Sequence, residues 1–280
     1  MRLQDGKEIQ IVADSVDLYD TTYSNLEMTA LEQVRVETYG EDLGQSSWLT
    51  ADELRRFIAW LDLKSDSQIL EVGSGSGGPA LFVAQLTGAP ITGIDINEHA
   101  ISAADKMVHD RGLETQAQFL QVDASLPLPF DDGTFDAIIC IDAIIHLSDR
   151  PSVLSEWHRV LRDGGVALFT DSTVITGLLS KEEIATRSSI GYFLFAAPGE
   201  DDRLLKEAGF KVERVEDVTE NAALVAKRWH RARANHRDEL LRVEGAATYE
   251  GLQQFLTTVG RVSAERRLSR FVFVARKPRT

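Results

Sequence analysis

A single cysteine, Cys140, stands in a chain of 280 residues, so no disulfide can form within the chain. A disulfide scaffold and a zinc site built on cysteines are excluded, and a reducing compartment fits. No run of about 18 apolar residues occurs. The most apolar stretch, Ala137 to Leu147, is interrupted by Asp142 and has the length of a strand. The first twenty residues contain no apolar segment of the kind a secretory signal needs, so a cytoplasmic protein is expected. Basic residues are outnumbered, 30 Lys and Arg against 44 Asp and Glu, for a net charge of −14. That balance repels nucleic acid and anionic membranes, so neither is expected as a partner. No histidine pair has metal-ligand spacing, and no metal is expected. What remains is 43% hydrophobic and 26% charged, an ordinary globular composition long enough to bury a large core.

The region 1–65 reads as a helical, amphipathic cap. Thr50-Ala-Asp-Glu53 has the form of a capping box, and Phe57, Ile58 and Leu61 follow on one face. From Ser67 the pattern changes to alternating strand and helix. Strands are expected at 69–72, 91–96, 117–122, 135–141 and 166–170, with helices at 79–87, 97–111 and 151–161 between them. Asp163-Gly-Gly165 reads as a turn. Apolar strands joined by helices predict a doubly wound, mostly parallel sheet of Rossmann-like type. A further strand ending at Asp217 and a last one at 270–275 are separated by a long insertion, 219–267, read as a helical lid; a shorter segment, 176–200, reads as a second cap. The cluster Lys227, Arg228, Arg231, Arg233 and Arg237 in the lid reads as a solvated basic face.

Chemistry concentrates at the ends of the first three strands. Glu71-Val-Gly73-Ser-Gly75-Ser-Gly77-Gly78 joins strand one to helix one. Glycines there let the backbone approach a ligand and turn sharply into a helix N-terminus. Gly73, Gly75 and Gly78 satisfy the dinucleotide fingerprint, whereas Gly73, Gly75 and Gly77 preceded by Glu71 satisfy the pattern of S-adenosylmethionine (SAM) sites. Glu71 discriminates, because a carboxylate receives the ammonium of an amino-acid ligand and repels a pyrophosphate. Asp95, ending strand two, can accept from both hydroxyls of a ribose. Asp123 beside the Ala124 backbone N–H matches the donor–acceptor edge of adenine. Open α/β sheets bind ligands along this edge.

These motifs carry a resemblance. From about Ser67 to Asp171, the segments ILEVGSGSGG, ITGIDIN, QVDASLPLPF, FDAIICIDAIIHL and LRDGGVALFTD resemble the class I SAM-dependent methyltransferases. More loosely, the later segments look like small-molecule N-methyltransferases of the phosphoethanolamine and glycine/sarcosine kind. The resemblance implies a seven-stranded sheet with an antiparallel last strand, SAM as methyl donor and S-adenosylhomocysteine (SAH) as product. By motif it assigns Glu71, Gly73, Gly75 and Gly77 to the methionine part and backbone contacts, Asp95 to the ribose, Ile96 to packing on the nucleoside, Asp123 and Ala124 to adenine, and Ile141 to the neighbourhood of the methionine part. The expected reaction is in-line transfer of a methyl group to a small-molecule acceptor, first an amine nitrogen, alternatively the oxygen of a hydroxyl or carboxylate. An NAD(P) oxidoreductase and a non-catalytic SAM-binding protein are the competing readings.

Around the acceptor, His146 after strand four is the candidate base, or else a histidine packed on adenosine. Asp171, placed at the end of strand five, could hold a cationic amine or cap a loop. Tyr19, Tyr23 and Trp48 could wall the acceptor by cation–π contact or pack in the core. Tyr192 falls in the cap segment and is a further candidate. A monomer or a homodimer is expected.

Overall fold

The computed structural model describes residues 19–279. The part of the expected N-terminal cap before Tyr19 lies outside the described residues. The rest of that cap forms three helices, α1 (Tyr19–Ser24), α2 (Thr29–Tyr39) and α3 (Ala51–Ile58). Thr50 begins α3 as expected, its side chain accepting from the Glu53 N–H at 3.3 Å. The reciprocal half of the capping box is not made. The Glu53 carboxylate instead accepts from Arg270 at 2.6 Å, because a buried guanidinium is a stronger partner than a helix-end amide.

The alternating region folds as β1 (Ile69–Val72), α4 (Gly78–Thr87), β2 (Ile91–Asp95), α5 (Glu98–Arg111), β3 (Ala117–Gln121), β4 (Phe135–Cys140), a 3₁₀ turn (Ile144–His146), α6 (Arg150–Val160) and β5 (Leu161–Ile175). Local signals set the boundaries. The Asn97 side chain accepts from the Ala100 N–H at 3.0 Å to start α5, and Gly112 closes it in the left-handed conformation that its missing Cβ permits. After β5 come α7 (Lys181–Arg187), α8 (Glu200–Glu207), β6 (Lys211–Asp217), α9 (Thr219–Asn235), α10 (Arg237–Ala264) and β7 (Leu268–Arg276). The helical insertion is thus two helices, the second kinked where Gly245 leaves the helical conformation.

The sheet has seven strands in the order β3-β2-β1-β4-β5-β7-β6, with β7 antiparallel to both its neighbours. This is the Rossmann-like methyltransferase arrangement expected. Chain order reverses between β1 and β4, which opens a crevice at the C-terminal ends of those strands. Helices cover both faces. Along β4 the side chains alternate: Ile138 and Cys140 join the core containing Trp157, Phe169 and Phe273, while Ala137 and Ile139 join the core containing Leu54, Phe57 and Leu168. Burying each large apolar side chain contributes about 1.5–3 kcal/mol.

Two expectations need correcting. Asp163–Gly165 is not a separate turn between helix and strand. It sits inside β5, where the register to β4 shifts between Leu161 opposite Phe135 and Val166 opposite Ala137. At its other end β5 runs on to Ile175, because β7 continues to pair with it as far as Leu268. The basic face of α9 is not wholly solvated either. Arg233 is buried, paired with Glu244 and set over the Tyr249 ring at 5.4 Å.

Candidate active site

The crevice between β1 and β4 deepens into a cavity of about 380 Å³. Glu71, Gly73, Gly75, Asp95, Ile96, Asp123, Ala124, Ile141, His146, Tyr19, Tyr23 and Tyr192 all line it. The sheet explains this convergence, since β1, β2, β3 and β4 are parallel and their C-terminal ends face the same way.

Glu71 lies on β1, 4% exposed, and its Oε2 has no hydrogen-bond partner. Burial, reinforced by the nearby Asp95 charge, pushes its carboxyl up to about 8. A buried carboxylate lacking a donor fits a cationic ligand group, which the ammonium of SAM supplies. Asp95 is better served, accepting from the Gly75 N–H and the Asn97 N–H, each at 2.9 Å. These bonds hold the glycine loop against the end of β2. Asp123 accepts from the Ser125 N–H at 2.9 Å through one oxygen, and Ile96 is 64% exposed at the cavity rim.

The glycine loop is required by geometry. Gly73 has φ +71°, and a Cβ there would stand 2.3 Å from the Ala143 Cβ. Gly77 does not line the cavity. It starts α4 in the left-handed conformation, and a Cβ there would meet Phe119 at 2.6 Å, so its role is packing beneath the loop.

On the acceptor side, His146 closes the 3₁₀ turn. One ring nitrogen, Nδ1, is 2.8 Å from the Tyr192 carbonyl, and Nε2 is 3.1 Å from the Tyr19 hydroxyl. A carbonyl only accepts, so Nδ1 carries the proton and Nε2 presents its lone pair to Tyr19. Burial pulls the ring down to about 4, so it is neutral at physiological pH. Burial also pushes the Tyr19 phenol up to about 12.

Trp48 and Asp171 are not in this cavity. The Trp48 ring packs 6.1 Å from both Trp229 and Phe255, lining a small adjoining chamber. Asp171 is fully buried within β5, 2.6 Å from Arg150, with its other oxygen accepting from Thr173. Arg150 also pairs with Asp201 at 2.7 Å. The strand extends four residues past Asp171, which is held in an internal ion-pair cluster.

Several site residues escaped the sequence reading. Asp142, with φ +53°, accepts from Arg270 at 2.8 Å, from the Thr170 hydroxyl at 2.9 Å and from the Trp48 N–H at 3.0 Å. Arg270 bridges it to Glu53, tying β4, β7 and α3 together under the cavity. A charge within an apolar run was the available signal for both. Arg187 carried no such signal. Among the described residues no cluster of His, Cys, Asp or Glu could hold a metal ion, and no helix is long and apolar enough to cross a membrane.

The family described as a methyltransferase domain matches residues 70–169. The 27-O-demethylrifamycin SV methyltransferase of Amycolatopsis mediterranei (strain S699) is 29% identical over 257 residues, covering 86% of this chain and 92% of the relative. The O-methyltransferase rstn1 of Aspergillus nomiae is 32% identical over 161 residues, 57% of this chain and 71% of the relative. Among solved structures, Haemonchus contortus phosphoethanolamine N-methyltransferase 2, in complex with phosphomonomethylethanolamine and SAH, superposes with a TM-score of 0.78. It is 21% identical, and the match covers 93% of this chain but 60% of that longer one. The glycine loop, the carboxylates at the strand ends and these relatives agree that the chain belongs to the class I SAM-dependent methyltransferases.

Proposed function

We propose that this enzyme methylates a hydroxyl oxygen of its small-molecule acceptor, with His146 as the base. The carrying observation is the proton inventory of His146: Nδ1 is committed to the Tyr192 carbonyl, which leaves the Nε2 lone pair facing the Tyr19 hydroxyl at 3.1 Å. When bound, SAM supplies an activated methyl group on sulfur. Glu71 holds its ammonium, Asp95 the ribose, Asp123 and Ala124 the adenine edge, and Ile96 and Ile141 the apolar faces. Tyr19 and Tyr23 cover the site from α1 and exclude water. A hydroxyl that gains a methyl group becomes strongly acidic as the new bond forms. Even a weakly basic imidazole therefore accepts its proton, directly or through Tyr19. Alignment of the acceptor opposite the S–CH3 bond supplies most of the rate, about 7–11 kcal/mol of barrier.

An amine is the less favoured acceptor. It arrives as an ammonium, and the buried cation Arg187 faces the acceptor side. Asp142, a carboxylate that lines both the cavity and the chamber holding Arg187, is already engaged by Arg270. The Amycolatopsis relative is named a methyltransferase of an O-demethylated rifamycin and the Aspergillus relative an O-methyltransferase, which supports the same choice. We also propose a cytoplasmic enzyme acting as a monomer or homodimer, consistent with the buried thiol of Cys140.

The test combines methyl-labelled SAM with a panel of hydroxylated compounds, amines and small acids, scoring products by mass. O-methylated products are expected, with kcat falling about 10²–10⁴-fold in His146→Ala. The depressed imidazole keeps the wild-type rate from dropping through pH 6.5. N-methylated products alone, or turnover within about threefold of wild type at every pH in the variant, would overturn the reading.

A further inference from the structure

Beside the main cavity, a chamber of about 30 Å³, which Asp142 also lines, contains a buried guanidinium that no carboxylate pairs with directly. Its wall includes Tyr19, Trp48, Arg187, Phe193, Trp229 and Phe255, and it shares Tyr19 with the larger cavity. Arg187 ends α7 and is 2% exposed. Its guanidinium lies 4.0 Å from the Phe193 ring centre and 5.4 Å from that of Phe255. Its one polar contact is a long one, Nη2 donating to the Ser172 hydroxyl at 3.4 Å. Nε and Nη1 have no acceptor among the described residues.

The other buried arginines show how unusual this is. Arg150 has Asp171 and Asp201, Arg233 has Glu244, and Arg270 has Asp142 and Glu53. Arg187 alone among these buried arginines has no carboxylate. Burial draws its guanidinium down to about 10, so it is still charged at neutral pH. A desolvated cation without a partner is costly, and such a cost persists where a ligand removes it.

We propose that Arg187 binds the carboxylate of the acceptor, making the substrate a hydroxy acid whose hydroxyl lies beside His146. Phe193 packs on both groups, 4.0 Å from the guanidinium and 4.5 Å from the imidazole centre, so one phenyl ring links the two ends of the acceptor site. A planar guanidinium matches a carboxylate bidentately. A phosphate dianion would want a second cation, and Asp142 rather than another base completes this wall. The aromatic rings around the guanidinium suit an acceptor with an apolar body. Which group is methylated rests on the hydroxyl reading above; the binding of an anion at Arg187 does not.

The experiment uses the SAH-saturated enzyme and its Arg187→Met, Arg187→Lys and Arg150→Met variants. Thermal melts and calorimetry are run with 4-hydroxybenzoate, mandelate and 3-(4-hydroxyphenyl)propionate, with their uncharged alcohol analogues, and with phenyl phosphate. At least one carboxylate is expected to bind wild type tenfold or more tightly than its alcohol. Arg187→Met abolishes that preference and Arg187→Lys keeps part of it. Without acceptor, Arg187→Met melts at or above wild type, whereas Arg150→Met melts well below. Equal binding of acids and alcohols, tighter Arg187-dependent binding of phenyl phosphate, or a melting loss in Arg187→Met as large as in Arg150→Met would overturn the assignment. Arg187-dependent acid binding with the methyl group found only on nitrogen would sink the hydroxyl reading and leave the subsite standing. O-methylation of the hydroxy acids at equal rates in wild type and Arg187→Met would do the reverse.

Discussion

Glu71 should make cofactor binding strongly pH-dependent. The carboxyl is 4% exposed, one of its oxygens has no partner, and burial holds it up to about 8. In the ligand-free protein it therefore keeps a proton across the neutral range. An ammonium placed against it favours the carboxylate and expels that proton. The affinity for SAH rises as pH rises toward 8, at most tenfold per unit, or about fiftyfold between pH 6 and 8. At pH 7 binding should release roughly 0.9 proton from this group. Above about pH 8 the ligand's own amino group begins to lose its proton and the gain stops. Calorimetric titration with SAH at pH 6, 7 and 8, each in two buffers of different ionisation enthalpy, measures both the dissociation constant and the proton count. Glu71→Gln should flatten the profile and bind more weakly than wild type at pH 8, with little difference at pH 6. Stability carries the opposite sign: a carboxyl raised from 4.5 to about 8 stabilises the free fold most below its unfolded value, and that contribution fades as pH climbs through 8. The glutamine variant should thus gain melting temperature over wild type at pH 8 and not at pH 4. A wild-type dissociation constant unchanged between pH 6 and 8, with no proton released, would refute the placement of the ammonium at Glu71.

Asp95→Ala should weaken SAH by about tenfold or more with the circular dichroism spectrum unchanged; equal affinity removes the ribose assignment. Gly73→Ala places a Cβ 2.3 Å from that of Ala143 in a left-handed backbone, so SAH binding should be lost and stability fall by about 1–3 kcal/mol, with partial recovery in the Gly73→Ala, Ala143→Gly double variant. Asp171→Asn leaves Arg150 and Asp201 without part of their buried network and should cost about 3–5 kcal/mol in urea unfolding. Turnover measured below the transition should stay within a few-fold; a selective loss of kcat would return Asp171 to the site.

The expectations that came true for the sheet rest on local rules. Short apolar runs closed by glycine, Asn97 before α5 and Gly112 after it, and the steric demands around Gly73 are all readable over a few residues. The proposed cofactor side was readable by the same local rules, since each carboxylate stands at the end of its own strand and the parallel sheet turns those ends toward one crevice. Asp171 lies away from the cavity because β5 runs on past it, and nothing local told where β5 stops; its length is set by pairing with β7, roughly a hundred residues later in the chain.

By itself, then, the sequence determined the order of strands and helices, the glycine turn and the carboxylates at the strand ends, because those depend on neighbours in the chain. Tertiary structure decided the acceptor side. It brought Tyr19 from α1 to His146, matched Arg150, Arg233 and Arg270 with carboxylates, and left Arg187 without one. Whether a buried charge is balanced depends on which distant residues share its pocket, and no spacing along the chain records that.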